Sequence, residues 1–131
     1  MRPEDRGTKL IGLPNGQEIR VEVRTNPEDI LRGAMFRTSL PEDRGYLMRH
    51  AKPGPLPTFM YQVKFPLDLL WLDEQGRILQ LIPNAPPCPP GLKATQCPVY
   101  GSMRATAHSV LQLAGGVAKK QGLAAGGKIN L

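Results

Sequence analysis

The chain has 131 residues, of which 40% are hydrophobic. That is enough for one domain that buries roughly two-thirds of its unfolded surface, and too apolar for a disordered chain. No apolar run approaches the ~20 residues of a membrane helix, and Gly 14 with Pro 14 favours many turns over long helices. The formal charge of +6 is uneven: residues 1–74 carry eleven basic and eleven acidic side chains, and the rest only Arg77, Lys93, Arg104, Lys119, Lys120 and Lys128. Six cations spread over that length do not form the dense basic stripe of a nucleic-acid binder.

Residues 1–7 read as a frayed tail, and 8–131 as one domain. Met1–Arg6 is charged with no apolar core after it, so the opening does not read as a signal peptide. Thr8–Leu13 is a strand, Pro14-Asn15-Gly16 a hairpin turn, and Gln17–Arg24 a half-exposed strand with Ile19, Val21 and Val23 inward. Asn26 caps a helix with Pro27 at its first position and Glu28 and Asp29 in its first turn, and the helix is expected to end near Met35-Phe36. Ser39, Pro41, Glu42 and Asp43 are arranged as a capping box for a second short turn, which Gly45 closes at positive φ. Tyr46–His50 is a strand, and the prolines between Ala51 and Pro57 argue against regular structure there.

The stretch from Phe59 to Ile82 is dense in strand formers and reads as a central β-hairpin. Phe65, Leu67, Leu69 and Trp71 alternate onto one face, Leu70 and Leu72 onto the other, so both faces are expected to be covered. Asp73-Glu74-Gln75-Gly76 supplies the turn, with Gly76 free to take positive φ. Asp68 stands out as a carboxylate in an apolar strand. It is either solvated or paired, because unpaired burial costs several kcal/mol. A structural anchor and a ligand-binding or general-base carboxylate both fit that requirement.

Pro83–Pro98 is a stiff proline-rich loop holding the chain's two cysteines, Cys88 and Cys97. A Cys88–Cys97 disulfide is expected in preference to a reduced pair, and it would place the chain in an oxidising compartment, periplasmic or secreted. Two cysteines alone build no structural zinc site. Val99–Leu113 ends as a strand, Gly115–Gly122 is a short helix with Lys119 and Lys120 in its last turn, and Lys128–Leu131 a final strand. His50 and His108 lie in no catalytic motif. Met35, Met48, Met60 and Met103 with Cys88, Cys97 and His50 are soft ligands of the kind copper(I) takes, but methionine at such spacing fills cores. No metal or cofactor is assigned.

Arg32–Pro41 followed by Arg44–Met48 resembles the signature RGLMFR..L....GMLF of a bacterial and archaeal family, the domain of unknown function numbered 192. Phe59, Met60, Pro66 to Leu69, Leu72, Asp73, Gly76 and Ile78 resemble its second signature. Val110–Gly116, Gly122 and Gly126 resemble its ending, VLEL.AG......G...GD. The resemblance covers about residues 17–131. Departures include Ala34 for Leu, Tyr46 for Met, Tyr61-Gln62-Val63 for Lys-Asn-Thr, Gln112 for Glu and Gly127 for Asp. The resemblance implies a compact β-sandwich with short helices at its ends and no established reaction. It also points to Arg37, the cation of the first signature, as the partner of Asp68, with Met60, Tyr61 and Tyr46 lining a pocket beside them.

The expected architecture is mainly β: a sandwich or barrel-like domain of about seven to nine short strands with two or three short peripheral helices. The expected function is binding of a small molecule or protein, without membrane insertion, by a monomer or weak dimer. The alternative is a small hydrolase- or lyase-like enzyme using Asp68 with Arg37.

Overall fold

The computed structural model describes residues 7–101 and 106–131. The tail assigned to residues 1–7 therefore falls outside the described residues except for Gly7, as do Met103 and Arg104. The chain is mainly β, as expected: β1 (Thr8–Gly12), β2 (Glu18–Arg24), α1 (Pro27–Arg32), β3 (Arg44–Gly54), β4 (Thr58–Phe59), β5 (Leu67–Leu72), β6 (Ile78–Ala85), β7 (Val99–Tyr100), β8 (Ala107–Ala114) and α2 (Val117–Lys120). Six strands form one sheet in the order β1-β2-β3-β8-β5-β6, and β4 pairs with β7 in a separate ribbon. The arrangement is sandwich-like and not a closed barrel: the sheet carries an apolar cluster on each face, with the segment around β4 packed over one of them.

Local chemistry explains the pieces that the sequence announces. Asn26 Oδ1 accepts from the Glu28 N–H at 2.8 Å, and Pro27 opens α1. The helix ends at Arg32, earlier than expected, because Gly33 turns the chain at φ 44°, ψ −123°. Between β1 and β2 the Gly16 N–H donates to the Leu13 carbonyl and Gly16 takes φ 88°, the geometry of a turn completed by a left-handed glycine. The turn at Asp73–Gly76 repeats it: Gly76 also sits at φ 88°, and Asp73 Oδ1 accepts from Gln75 and Arg77 N–H.

Pairing over distance changes several expectations. The β5–β6 hairpin is not central: β6 is an edge strand, and β3 with β8 occupies the middle. Phe59 belongs to β4 and not to the hairpin. All six residues of β5 are buried, with Leu67, Leu69 and Trp71 in one cluster and Leu70 and Leu72 in the other, as the alternation predicts. β2 and β3 run parallel, with α1 in the crossover. β3 continues through Pro53 to Gly54, since its pairing with β8 shifts register between Arg49 and Gly54 and so tolerates a missing N–H. The short turn expected after Ser39 does form, at Pro41–Arg44, with the Arg44 N–H donating to the Pro41 carbonyl at 3.1 Å. Lys128–Leu131 forms isolated bridges to Gly12 and Arg77 instead of a strand, stitching one end of β1 to the start of β6.

Gly45 corrects the expected turn closure. It lies inside β3, opposite Leu113, without positive φ. A Cβ there would lie 2.8 Å from the Gln112 carbonyl oxygen and 2.8 Å from Leu113 Cδ2. Glycine is needed for close strand approach and not for a left-handed turn. Gly45→Ala is expected to lose about 1–3 kcal/mol in denaturant titration, with the loss traced to β3–β8 by faster amide exchange at Leu47 and Leu111. Wild-type stability would mean the strands have room to part.

Candidate functional site

Asp68 is fully buried, and its oxygens are committed to backbone. Oδ1 accepts from the N–H groups of Asn84 at 2.8 Å and Gly116 at 3.1 Å, and Oδ2 from Ala118 at 2.7 Å. Asn84 is held at φ 50° and Gly116 at φ 95°. The carboxylate thus ties β5 to the end of β6 and to the first turn of α2, where the unpaired helix N–H groups favour a negative charge.

Arg37 is not among these partners, so the expected Arg37–Asp68 pair is not formed. Arg37 instead meets Glu22 at 3.4 Å and lies over the Tyr46 ring, with the guanidinium carbon 5.9 Å from its centroid. Arg24 covers the same ring at 5.3 Å and also pairs with Glu22. Burial is the main influence on the Tyr46 phenol and raises its pKa, while Arg37 acts the other way. Met60 is buried in the core among Leu67, Trp71 and their neighbours. Of the expected pocket residues, only Tyr61 lines the cavity described below; Tyr46 and Arg37 border a different depression, with Glu22 and Ser39.

Cys88 and Cys97 form a disulfide with Cα atoms 5.5 Å apart. The Cys88 N–H donates to the Met60 carbonyl, and just beyond Cys97, β7 pairs with β4. Both ends of the bridged loop thereby hold residues 58–60. Cys88→Ser with Cys97→Ser is expected to lower stability by about 2–3 kcal/mol, most visibly as faster amide exchange at Phe59 and Met60. Equal exchange with and without the bridge would separate the loop from that wall.

That wall borders an open cavity of about 110 Å³. Ile30 to Met35 form one side, Pro57 to Phe59 with Tyr61 and Val63 the other, and Met48, His50, Val110 and Gln112 the floor. Phe36 at φ 66° and Gln62 at φ 59° join the two sides, the Phe36 N–H donating to the Gln62 carbonyl at 3.1 Å. Left-handed non-glycine residues concentrate where function tolerates strain. Phe36, 65% exposed, and Leu31, 61% exposed, leave apolar surface at this end of the molecule.

Gln112 is the notable side chain in the cavity. It is 7% exposed, faces Tyr46 and Leu69 across neighbouring strands, and its Oε1 is buried without a hydrogen-bond partner. A Cβ on Gly33 would sit 3.5 Å from that oxygen and 3.2 Å from Met48 Cε, so Gly33 packs directly over Gln112 with little room for a larger residue. Burial lowers the His50 pKa, which keeps the imidazole neutral near pH 7. Thr58 Oγ1 donates to the Leu56 carbonyl at 3.4 Å. His108 and His50 border another depression with Asp73 and Glu74, and among the described residues no group of three His, Cys, Asp or Glu is arranged to hold a metal. The signal for this cavity lay in the sequence as a glutamine at an inward position of Val110-Leu111-Gln112-Leu113, between apolar neighbours.

Two solved structures share the fold. One is a "putative transcription regulator" from Sinorhizobium meliloti 1021, with TM-score 0.79 and 24% identity over 92% of this chain and 89% of that one. The other is a protein of unknown function from Novosphingobium aromaticivorans DSM 12444, with TM-score 0.82 and 21% identity over 95% and 85%. A search of curated proteins found no match. The family model described as "Uncharacterized ACR" matches residues 11–131. The three ordered signatures and that match have one conclusion: the chain belongs to the domain of unknown function 192 family.

Proposed function

We propose that this chain is a binding module that holds a small ligand in the cavity between α1 and β4. The observation carrying this reading is Gln112, a residue lining the cavity whose buried Oε1 has no hydrogen-bond partner. An unsatisfied buried acceptor costs about 1–3 kcal/mol, and a ligand donor would recover it. The strained Phe36–Gln62 junction at the same place supports the reading. The enzyme alternative loses its proposed machinery, because three backbone amides occupy Asp68 and Arg37 lies elsewhere. The name of the Sinorhizobium protein suggests nucleic acid, but the C-terminal cations here are dispersed and Lys120 is paired with Glu42.

No helix among the described residues is long and apolar enough to cross a membrane, and the Cys88–Cys97 bridge supports an oxidising compartment, periplasmic or extracellular. The test is a fragment screen by two-dimensional NMR on the oxidised protein. Binders are expected to move the amides of Gly33, Ala34, Met48 and Gln112 and to leave Asp68 and Ala118 unmoved. A screen whose hits all map away from the first four residues would overturn the assignment.

A further inference from the structure

We infer that the cavity selects an uncharged group that donates an N–H or O–H bond to Gln112, a small carboxamide being the best fit. The inference rests on the binding site proposed above and adds the class of its ligand. Four features of the lining lead to it.

The first is hydrogen-bonding sense. Gln112 Oε1 is an acceptor with no partner, so with its carboxamide in this orientation a ligand that only accepts, such as an ester, would bring a second lone pair against it. The second is charge. The titratable groups lining the cavity are Arg32, His50 and Tyr61, with no carboxylate among them. Burial favours neutral His50. A cation entering this space would leave water without a counter-charge and would meet Arg32, which makes its transfer costly. A carboxylate would meet Arg32 favourably but would press its oxygens against Oε1.

The third feature is size. A cavity of about 110 Å³ is somewhat smaller than the ~150 Å³ apolar cavity that holds benzene, so it admits a group of that order or less. The fourth is the lining itself: Ile30, Ala34, Met48 and Val110 surround the acceptor with apolar surface, which suits a short branched hydrocarbon bearing one donor. A site built to hydrogen-bond discriminates strongly against analogues that leave its polar group unpaired.

Isobutyramide, isobutylammonium, isobutyrate and methyl isobutyrate have similar skeletons and separate these features. In NMR titrations of the oxidised wild-type protein, isobutyramide is expected to shift Gly33 and Gln112 amides and to bind roughly tenfold or more tightly than the other three. Gln112→Met removes the acceptor at similar volume and should erase that preference; Gln112→Glu should shift it toward isobutylammonium. Both variants are first checked for wild-type amide dispersion, and Gln112→Met alone suffices if the buried carboxylate unfolds the protein. Equal or tighter binding of the ammonium or ester at the same amides overturns the inference while leaving the binding site standing. An unchanged carboxamide preference in Gln112→Met overturns it too. If none of the four probes moves these amides, the binding site itself loses its support as well.

Discussion

Asp68→Asn is expected to lower the free energy of unfolding by about 3 kcal/mol, since bonds from amides to a charged group contribute roughly 1.5–3 kcal/mol each and an amide retains part of them. The carboxylate receives three N–H donors on two oxygens. If asparagine keeps its oxygen toward Asn84 and Gly116, its NH₂ points at the Ala118 N–H, and two donors confront each other 2.7 Å apart. The negative charge at the first turn of α2 is lost as well. Arg37→Ala should cost no more than about 1 kcal/mol, because its pairing with Glu22 is half-exposed. With no shared contact, the double variant should be additive within about 0.5 kcal/mol. Urea titration of the four proteins measures this. A coupling well above that limit would show that Arg37 reaches Asp68 in solution, and an unaffected Asp68→Asn would remove its anchoring role.

Gly76→Ala should be similarly damaging, and Gly16→Ala is the control that shows why. Both glycines sit at φ 88° in hairpin turns. Nothing lies within 4 Å of a Cβ placed on Gly16, whereas one on Gly76 would overlap the Ile129 carbonyl oxygen. The left-handed backbone alone should cost about 1 kcal/mol at either site. Gly76→Ala adds the displacement of residues 128–130, whose Ile129 N–H donates to the Gly76 carbonyl and whose Asn130 exchanges two backbone bonds with Gly12. We expect about 3 kcal/mol or more in total, with loss of amide protection at Gly12, Ile78 and Asn130. Equal losses for the two variants would mean that the C-terminal segment is not seated on this turn.

The contrast between the two glycines also separates what could be read locally from what could not. Positive φ at Gly16 and Gly76 follows from turn chemistry within four residues. The crowding at Gly76 comes from Ile129, which no local pattern places nearby. Gly45 shows the reverse error. Its position after Pro41-Glu42-Asp43 suggests a left-handed turn, yet the demand for glycine comes from β8, more than sixty positions away.

The candidate site divides in the same way. The sequence marks Asp68 as a carboxylate in a buried strand, and the family signatures bring Arg37, Tyr61 and, as a departure, Gln112 to attention. Alternation, capping and turn residues, all governed by neighbours within a few positions, determined the mainly β class, the Asn26 cap, the hairpin turns and the two-faced burial of β5. Only the tertiary structure decided that Asp68 takes amides from residues 16, 48 and 50 positions away. It likewise decided that Arg37 turns to Glu22, that β2 and β3 run parallel, and that Gln112 lies beneath Gly33. Partner choice over such distances depends on strand order and register, which are properties of the whole packed chain and not of any short window within it.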